Sequence, residues 1–169
     1  GMLDRGQLTT LALFDKPDPL DGPYFEETLY VTPSRLAGET QRRMRDEVAR
    51  ACREAGLTEG PIHAEARVND DGVWLLEVAA RSIGGLCGRV LTHSLGMSLE
   101  EVILRQAVSA PLAIAGNGGA AGVMMIPIPR SGVFRGVTGV DEAKAVAGVD
   151  DVVITAKPDQ HLIALPGPA

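Results

Sequence analysis

Ile62-His63-Ala64-Glu65-Ala66-Arg67-Val68, then Asn69-Asp70-Asp71-Gly72, then Val73-Trp74-Leu75-Leu76-Glu77-Val78-Ala79 is the stretch whose reading decides the fold. The first run alternates, with Ile62, Ala64, Ala66 and Val68 on one face and His63, Glu65 and Arg67 on the other. That is the period of a half-buried strand. Asp70-Asp71-Gly72 reads as a three-residue hairpin loop with Gly72 in its left-handed position. In that register Asn69 faces Val73, and Glu65 falls directly opposite Glu77. Opposed side chains have Cβ atoms about 4.5–5.5 Å apart, and like charges there destabilise the pair. A divalent cation is the simplest group to offset the repulsion, so the two carboxylates read as a metal site on a sheet face. Two other readings stay open: Glu65 pairs with Arg67 of a neighbouring strand, or a two-residue loop shifts Glu77 to the opposite face.

Oxygen-only donors in small number suit magnesium, which keeps several waters and is usually shared with substrate phosphates. Residues 77, 79 and 81 point to one side if the second strand continues. Arg81 then lies roughly 13 Å beyond Glu77, near the strand end. Ser82-Ile83-Gly84-Gly85 breaks the strand and lets backbone amides approach a ligand closely. Two acids, an arginine and a glycine turn make a site for handling phosphate.

Gly60-Pro61-Ile62-His63-Ala64-Glu65-Ala66-Arg67-Val68, followed by Leu76-Glu77-Val78-Ala79-Ala80-Arg81-Ser82-Ile83-Gly84-Gly85, resembles the metal-binding hairpin of the ATP-grasp superfamily. The upstream Phe14-Asp15-Lys16-Pro17-Asp18-Pro19-Leu20-Asp21-Gly22-Pro23-Tyr24-Phe25-Glu26-Glu27 and Thr32-Pro33-Ser34-Arg35-Leu36 are similar to the segment that precedes it there. The resemblance covers most of residues 3–115. It implies a carboxylate–amine ligase that phosphorylates a carboxylate with ATP and lets an amine displace phosphate from the acyl phosphate. It implies Glu65 and Glu77 as ligands of Mg2+ (or Mn2+) between the ATP phosphates. Arg81 is implied as the residue that stabilises phosphoryl transfer and the tetrahedral intermediate after it. Many members carry asparagine two residues after the second glutamate; Ala79 stands there instead, which removes a ligand of a second magnesium but not of the first. The Glu-x-Ala-Ala-Arg form is similar to that of L-amino-acid ligases, which tilts the substrates toward amino acids. Alternatives are another ATP-grasp chemistry, biotin-carboxylase-like or of the purine-pathway ligases, and a non-catalytic metal-binding module.

Nothing in the 169 residues resembles the nucleotide-clamping lobe such an enzyme needs, and no Gly-x-x-x-x-Gly-Lys-Ser loop occurs. Gly1-Met2 reads as an expression scar ahead of Leu3. The chain is therefore expected to be the carboxy-terminal part of a longer ligase, with the remaining amino-terminal part as its partner and little ATP turnover alone. The aromatic content of 4% argues against a base-stacking nucleic-acid platform, and a net charge of −6 disfavours nucleic acid and anionic membranes. There is no signal peptide and no bilayer-length apolar run, so a cytoplasmic location is the default. Cys52 and Cys87 lack metal-ligand spacing and read as free buried thiols. A homodimer is compatible with all of this.

The pattern predicts an α+β fold: an antiparallel sheet with helices on one side, the carboxy-terminal ATP-grasp lobe at 3–115, then a small β-rich unit at 119–169. Strands are expected at 8–15 and 28–32. A helix capped by Ser34 should run to about Ala55, with Leu36, Thr40, Met44, Val48, Cys52 and Ala55 as its inner stripe and Gly56 as its stop. Its Arg42-Arg43-Arg45 and Asp46-Glu47 cluster reads as a solvated face. A helix over 84–95 turns Leu86, Val90 and Leu91 inward. Ser98-Leu99-Glu100-Glu101 caps a further helix, ended by Pro111. Past a boundary at Gly116-Asn117-Gly118-Gly119, strands are expected at 121–128, 133–137, 151–156 and 161–165, with a helix over 141–147 capped by Asp141 and stopped by Gly148.

The remaining candidates concern substrate. His63 shares a face with Glu65 and lies opposite Ala79, placed to orient substrate or a metal-bound water, though a hydrogen-bonded structural histidine is the commoner outcome. Ser82, Gly84 and Gly85 line the turn where backbone amides would hold a carboxylate or its oxyanion. Arg89 reads equally as a carboxylate contact or a surface charge. Lys16 could meet phosphate, but reads mainly as a strand-end charge.

Overall fold

The computed structural model describes residues 1–18, 28–114 and 118–164. These divide into two compact units, one of residues 1–18, 28–114 and 118–125, the other of residues 126–164. The expected boundary at 116–119 lies partly outside the described residues.

In the first unit β1 (Met2–Asp4) pairs antiparallel with β2 (Gln7–Thr9) on one side and β4 (Gly60–Pro61) on the other. The strand expected over 8–15 is thus shorter; only Asp15 regains a bridge, to Val31 of β3 (Leu29–Thr32). β3 pairs antiparallel with β7 (Ala121–Met124). That pairing needs Gly122, because a Cβ there would lie 2.7 Å from the Tyr30 carbonyl oxygen. β5 (His63–Asn69) and β6 (Gly72–Ala79) form the hairpin. Every strand pair among the described residues is antiparallel, and helices pack against the sheets, so the chain is α+β.

Helix α1 (Gly38–Glu54) lays Val48 and Cys52 on a core of Leu3 and Ile62, with Ala64 and Val78 from the hairpin beneath. Gly56, at φ +72°, ends it while the Leu57 amide donates to the Cys52 carbonyl at 2.9 Å, the closing bond of a left-handed C-cap. Its start is four residues later than Ser34. The Ser34 hydroxyl accepts from the Leu36 amide (3.2 Å), Asp15 accepts from the Arg35 amide (2.8 Å), and Gln41 donates to both the Ser34 and Leu36 carbonyls. Those bonds hold 34–36 in a turn that competes with helix. The outer face of α1 is solvated: Glu39 pairs with Arg42 and Arg43, and Arg50 with Glu47 and Glu54.

Helix α2 (Cys87–Leu95) begins at Cys87 rather than Gly84, since Gly85 holds φ +61° and cannot enter a right-handed helix. Helix α3 (Leu99–Ala107) starts as expected, with the Ser98 hydroxyl accepting from the Glu101 amide at 3.1 Å. It stops before Pro111 because Ser109, at φ +53°, turns the chain left-handed. Met2, Leu91, Leu95, Leu99 and Val102 form the core shared by α2 and α3, and Phe14 and Ile83 pack against it. Both cysteines are buried thiols outside any disulfide.

The second unit contains β8 (Gly132–Val133), α4 (Val140–Lys144) and β9 (His161–Leu162), with β8 and β9 paired antiparallel. The strand expected over 151–156 does not form: among the described residues no ladder partner meets it, and the Asp151 carboxylate accepts from the Val152 amide (2.8 Å). Gly139, not Asp141, occupies the N-cap of α4, while Asp141 sits in its first turn.

Candidate functional site

The hairpin brings Glu65 opposite Glu77, by a route different from the one the sequence suggests. The loop holds two residues, not three: Asn69 pairs with Gly72, Val68 with Val73, Arg67 with Trp74 and Ala66 with Leu75. Continued unbroken, that register would set Leu76 against Glu65 and turn Glu77 to the other face. A β-bulge intervenes. Leu76 is the extra residue, so Glu65 pairs with Glu77, Ala64 with Val78 and His63 with Ala79. Burial drives the bulge. Leu75 and Val78 are both half-buried although three apart, while Leu76 and Glu77 between them are exposed. The readable signal was Leu75-Leu76, two adjacent apolar residues breaking the alternation.

Asn69 fixes the loop. Its side-chain oxygen accepts from the Asp71 amide (3.0 Å), the Gly72 amide (3.1 Å) and the Trp74 indole (3.0 Å). Asn69→Ala is expected to cost about 1 kcal/mol, because all three donors are exposed and water replaces the lost acceptor. Chemical denaturation would measure it.

The two carboxylates belong to a line of five contacting groups. Lys16 Nζ lies 3.2 Å from Glu65 Oε2, and His63 Nε2 lies 3.7 Å from Glu65 Oε1. Arg81 approaches His63 Nδ1 at 3.5 Å and Glu77 Oε1 at 3.7 Å, and donates to the Ser82 carbonyl at 3.1 Å. The inner end is the better covered: the side chains of His63, Lys16 and Glu65 are 15%, 23% and 27% exposed, against 53% for Glu77 and 55% for Arg81. Burial pushes the His63 pKa below its ordinary value, and Arg81 and Lys16 add to this while Glu65 and Glu77 oppose it. His63 is therefore neutral at pH 7, an acceptor on one nitrogen and a donor on the other.

Sequence reasoning expected a metal to be needed to hold the acids together. In the structure Lys16 and Arg81 supply the opposing charge, so the repulsion is offset by the chain itself. Lys16 is the group whose position was misread. It follows Asp15, whose bridge to Val31 fixes the backbone, and its ammonium stands 5.5 Å from the centroid of the Tyr30 ring. Arg67, the alternative partner of Glu65, faces Trp74 in the register.

The donor set still fits a divalent cation. Two carboxylates are opposed on one hairpin, Glu65 beside Lys16 and Glu77 beside Arg81, and the described residues contain no cluster of three acid, histidine or cysteine ligands. A pair of oxygen donors matches an ion that completes its shell with water and phosphate rather than a dedicated protein cage. Ser82 and Gly84 follow at the strand exit, where a Cβ on Gly84 would meet nothing within 4 Å. Gly85 suits its positive φ of +61°, where a side chain is strained, and a Cβ there would also displace the end of Met125. Arg89 lies exposed on α2. An open hollow along α3, lined by Glu101, Leu104, Arg105 and Val108, contains none of these residues.

An opposed acid pair, an arginine at the strand exit and a glycine turn on an antiparallel lobe are the marks of one class, and the family model of the ATP-grasp domain matches residues 2–90, more than half of the chain. The chain belongs to the ATP-grasp family. Residues 124–166 match a second model, L-amino acid ligase C-terminal domain 2. Among solved structures, the chain is similar to the L-amino acid ligase from Bacillus licheniformis, with a TM-score of 0.82 and 27% identity over 98% of this chain. It spans 42% of that protein. Phosphoribosylglycinamide synthetase from Anaerococcus prevotii shares the fold, with a TM-score of 0.62 at 15% identity over 79% of this chain and 35% of that one. No curated protein sequence matches. Among the described residues no helix is long and apolar enough to cross a membrane.

Proposed function

We propose that this chain is the carboxy-terminal part of an ATP-dependent carboxylate–amine ligase that joins amino acids through an acyl phosphate. The observation that carries the reading is the pairing of Glu65 with Glu77 on one hairpin, with Arg81 and His63 in contact with them. The match of residues 124–166 to an L-amino acid ligase domain supports the choice of substrates.

Glu65 and Glu77 would hold Mg2+ or Mn2+. Such an ion would supply positive charge to offset that of the ATP phosphates. Arg81 sits at the exposed end of the line, where its guanidinium can leave Glu77 for the equatorial oxygens of the γ-phosphoryl group. In the first half-reaction a substrate carboxylate oxygen attacks the γ-phosphorus and ADP departs. In the second, an amine attacks the acyl carbon and phosphate leaves. Arg81 and the backbone at Ser82, Gly84 and Gly85 face charge that grows on oxygen in both halves, so their contribution is electrostatic. Neutral His63 orients substrate by hydrogen bonding without adding charge.

The test is phosphate release by the enzyme that combines this chain with a nucleotide-clamping lobe. Release is expected to require ATP together with amino acids, and to yield a dipeptide. Release driven by bicarbonate or by a purine precursor, with amino acids inert, would contradict the substrate assignment.

A further inference from the structure

Lys16 stands on one of the two Glu65 oxygens open to the proposed metal. Its ammonium is 3.2 Å from Glu65 Oε2, while the other carboxylate oxygen faces His63 and Glu77 is held by Arg81. A magnesium bonded to Glu65 would stand about 2.1 Å from its oxygen. At that distance it meets the ammonium at close range, and like charges repel. Lys16 and the ion therefore compete for the charge of Glu65.

Resting on the metal reading above, we propose that Lys16 is a resident counter-ion that yields Glu65 when a divalent cation binds, and so sets the affinity of the site. Its backbone cannot follow, because the Asp15–Val31 bridge anchors the preceding residue. Only the side chain moves. It stays at the edge of the site beside Tyr30, where its freed ammonium is presented to an anionic group arriving with the metal. Uptake of the cation and of an anionic ligand then favour each other, since the ligand receives the lysine that the cation releases.

The experiment is a titration of the 169-residue chain with Mn2+, followed by electron paramagnetic resonance, for wild type, Lys16→Met, Lys16→Arg and Glu65→Gln. Methionine keeps the length of the apolar stem without the charge, so the fold should survive; arginine retains the charge. Lys16→Met is expected to tighten Mn2+ binding about 3–10-fold, as removal of one nearby like charge implies. Lys16→Arg should stay near wild type, and Glu65→Gln should remove the site. The rise in melting temperature at saturating Mn2+ should be larger in Lys16→Met than in wild type. If Glu65→Gln abolishes binding while Lys16→Met binds no tighter than wild type, the counter-ion role is wrong and the metal site stands. If Glu65→Gln binds as wild type does, or no variant binds, the metal reading itself fails and this inference with it.

Discussion

Glu77→Gln, in the ligase proposed above, is expected to lower turnover by about 10²–10³-fold or more, the scale of losing a group that neutralises transition-state charge. The neutral amide is a poor ligand for a hard cation, yet it preserves shape and can still accept from Arg81. Stability should change little. Glu77 and Arg81 are both more than half exposed and 3.7 Å apart, so the lost ion pair and the relieved repulsion from Glu65 offset each other to within about 0.5 kcal/mol. Two opposed carboxylates alone would leave the metal-free hairpin more stable on losing one of them. The presence of Arg81 at Glu77 removes that gain. Steady-state kinetics beside a denaturation curve would separate the effects, and an unchanged kcat would remove Glu77 from the chemistry.

Leu95→Ala should be among the most damaging single changes to the fold, at about 3 kcal/mol within a range of about 2–5. Leu95 is 2% exposed in the core of Met2, Leu91, Leu99 and Val102, where truncation leaves a cavity that α2 and α3 cannot readily close. The site is tied to that core at two points. Phe14 packs on it immediately before Asp15 and Lys16, and Ile83 packs on it immediately after Arg81 and Ser82. Loosening here should also weaken cation binding in the surviving folded protein. Leu104→Ala, on the outer face of α3 and 66% exposed, should cost under about 0.5 kcal/mol and serves as the control.

The hairpin shows what a sequence conveys and what it withholds. Alternation over 62–68 and the opposed glutamates were legible because strand period and residue type are local properties. Loop length was not, since Asp-Asp-Gly serves loops of two or three residues, and the deciding forces lay elsewhere. Asn69 bonded three donors and shortened the loop, and the half-buried Leu75 and Val78 required a bulge between them. The two departures from the expected register cancelled at Glu77. Lys16 was illegible for another reason: 49 positions separate it from Glu65, and the long-range Asp15–Val31 bridge helps to carry it there. Helix starts failed at Ser34 and Gly84, where side-chain bonds and a left-handed glycine competed with helix. At Ser98 the cap and the helix agreed, and the start was read correctly.

Crystals of the chain soaked in Mn2+ and recorded at the manganese absorption edge give the most direct test. An anomalous peak bonded to Glu65 and Glu77, with the Lys16 ammonium moved off Glu65, is the predicted result. No peak between those carboxylates at saturating Mn2+, with Lys16 and Arg81 still in place on them, would contradict the account.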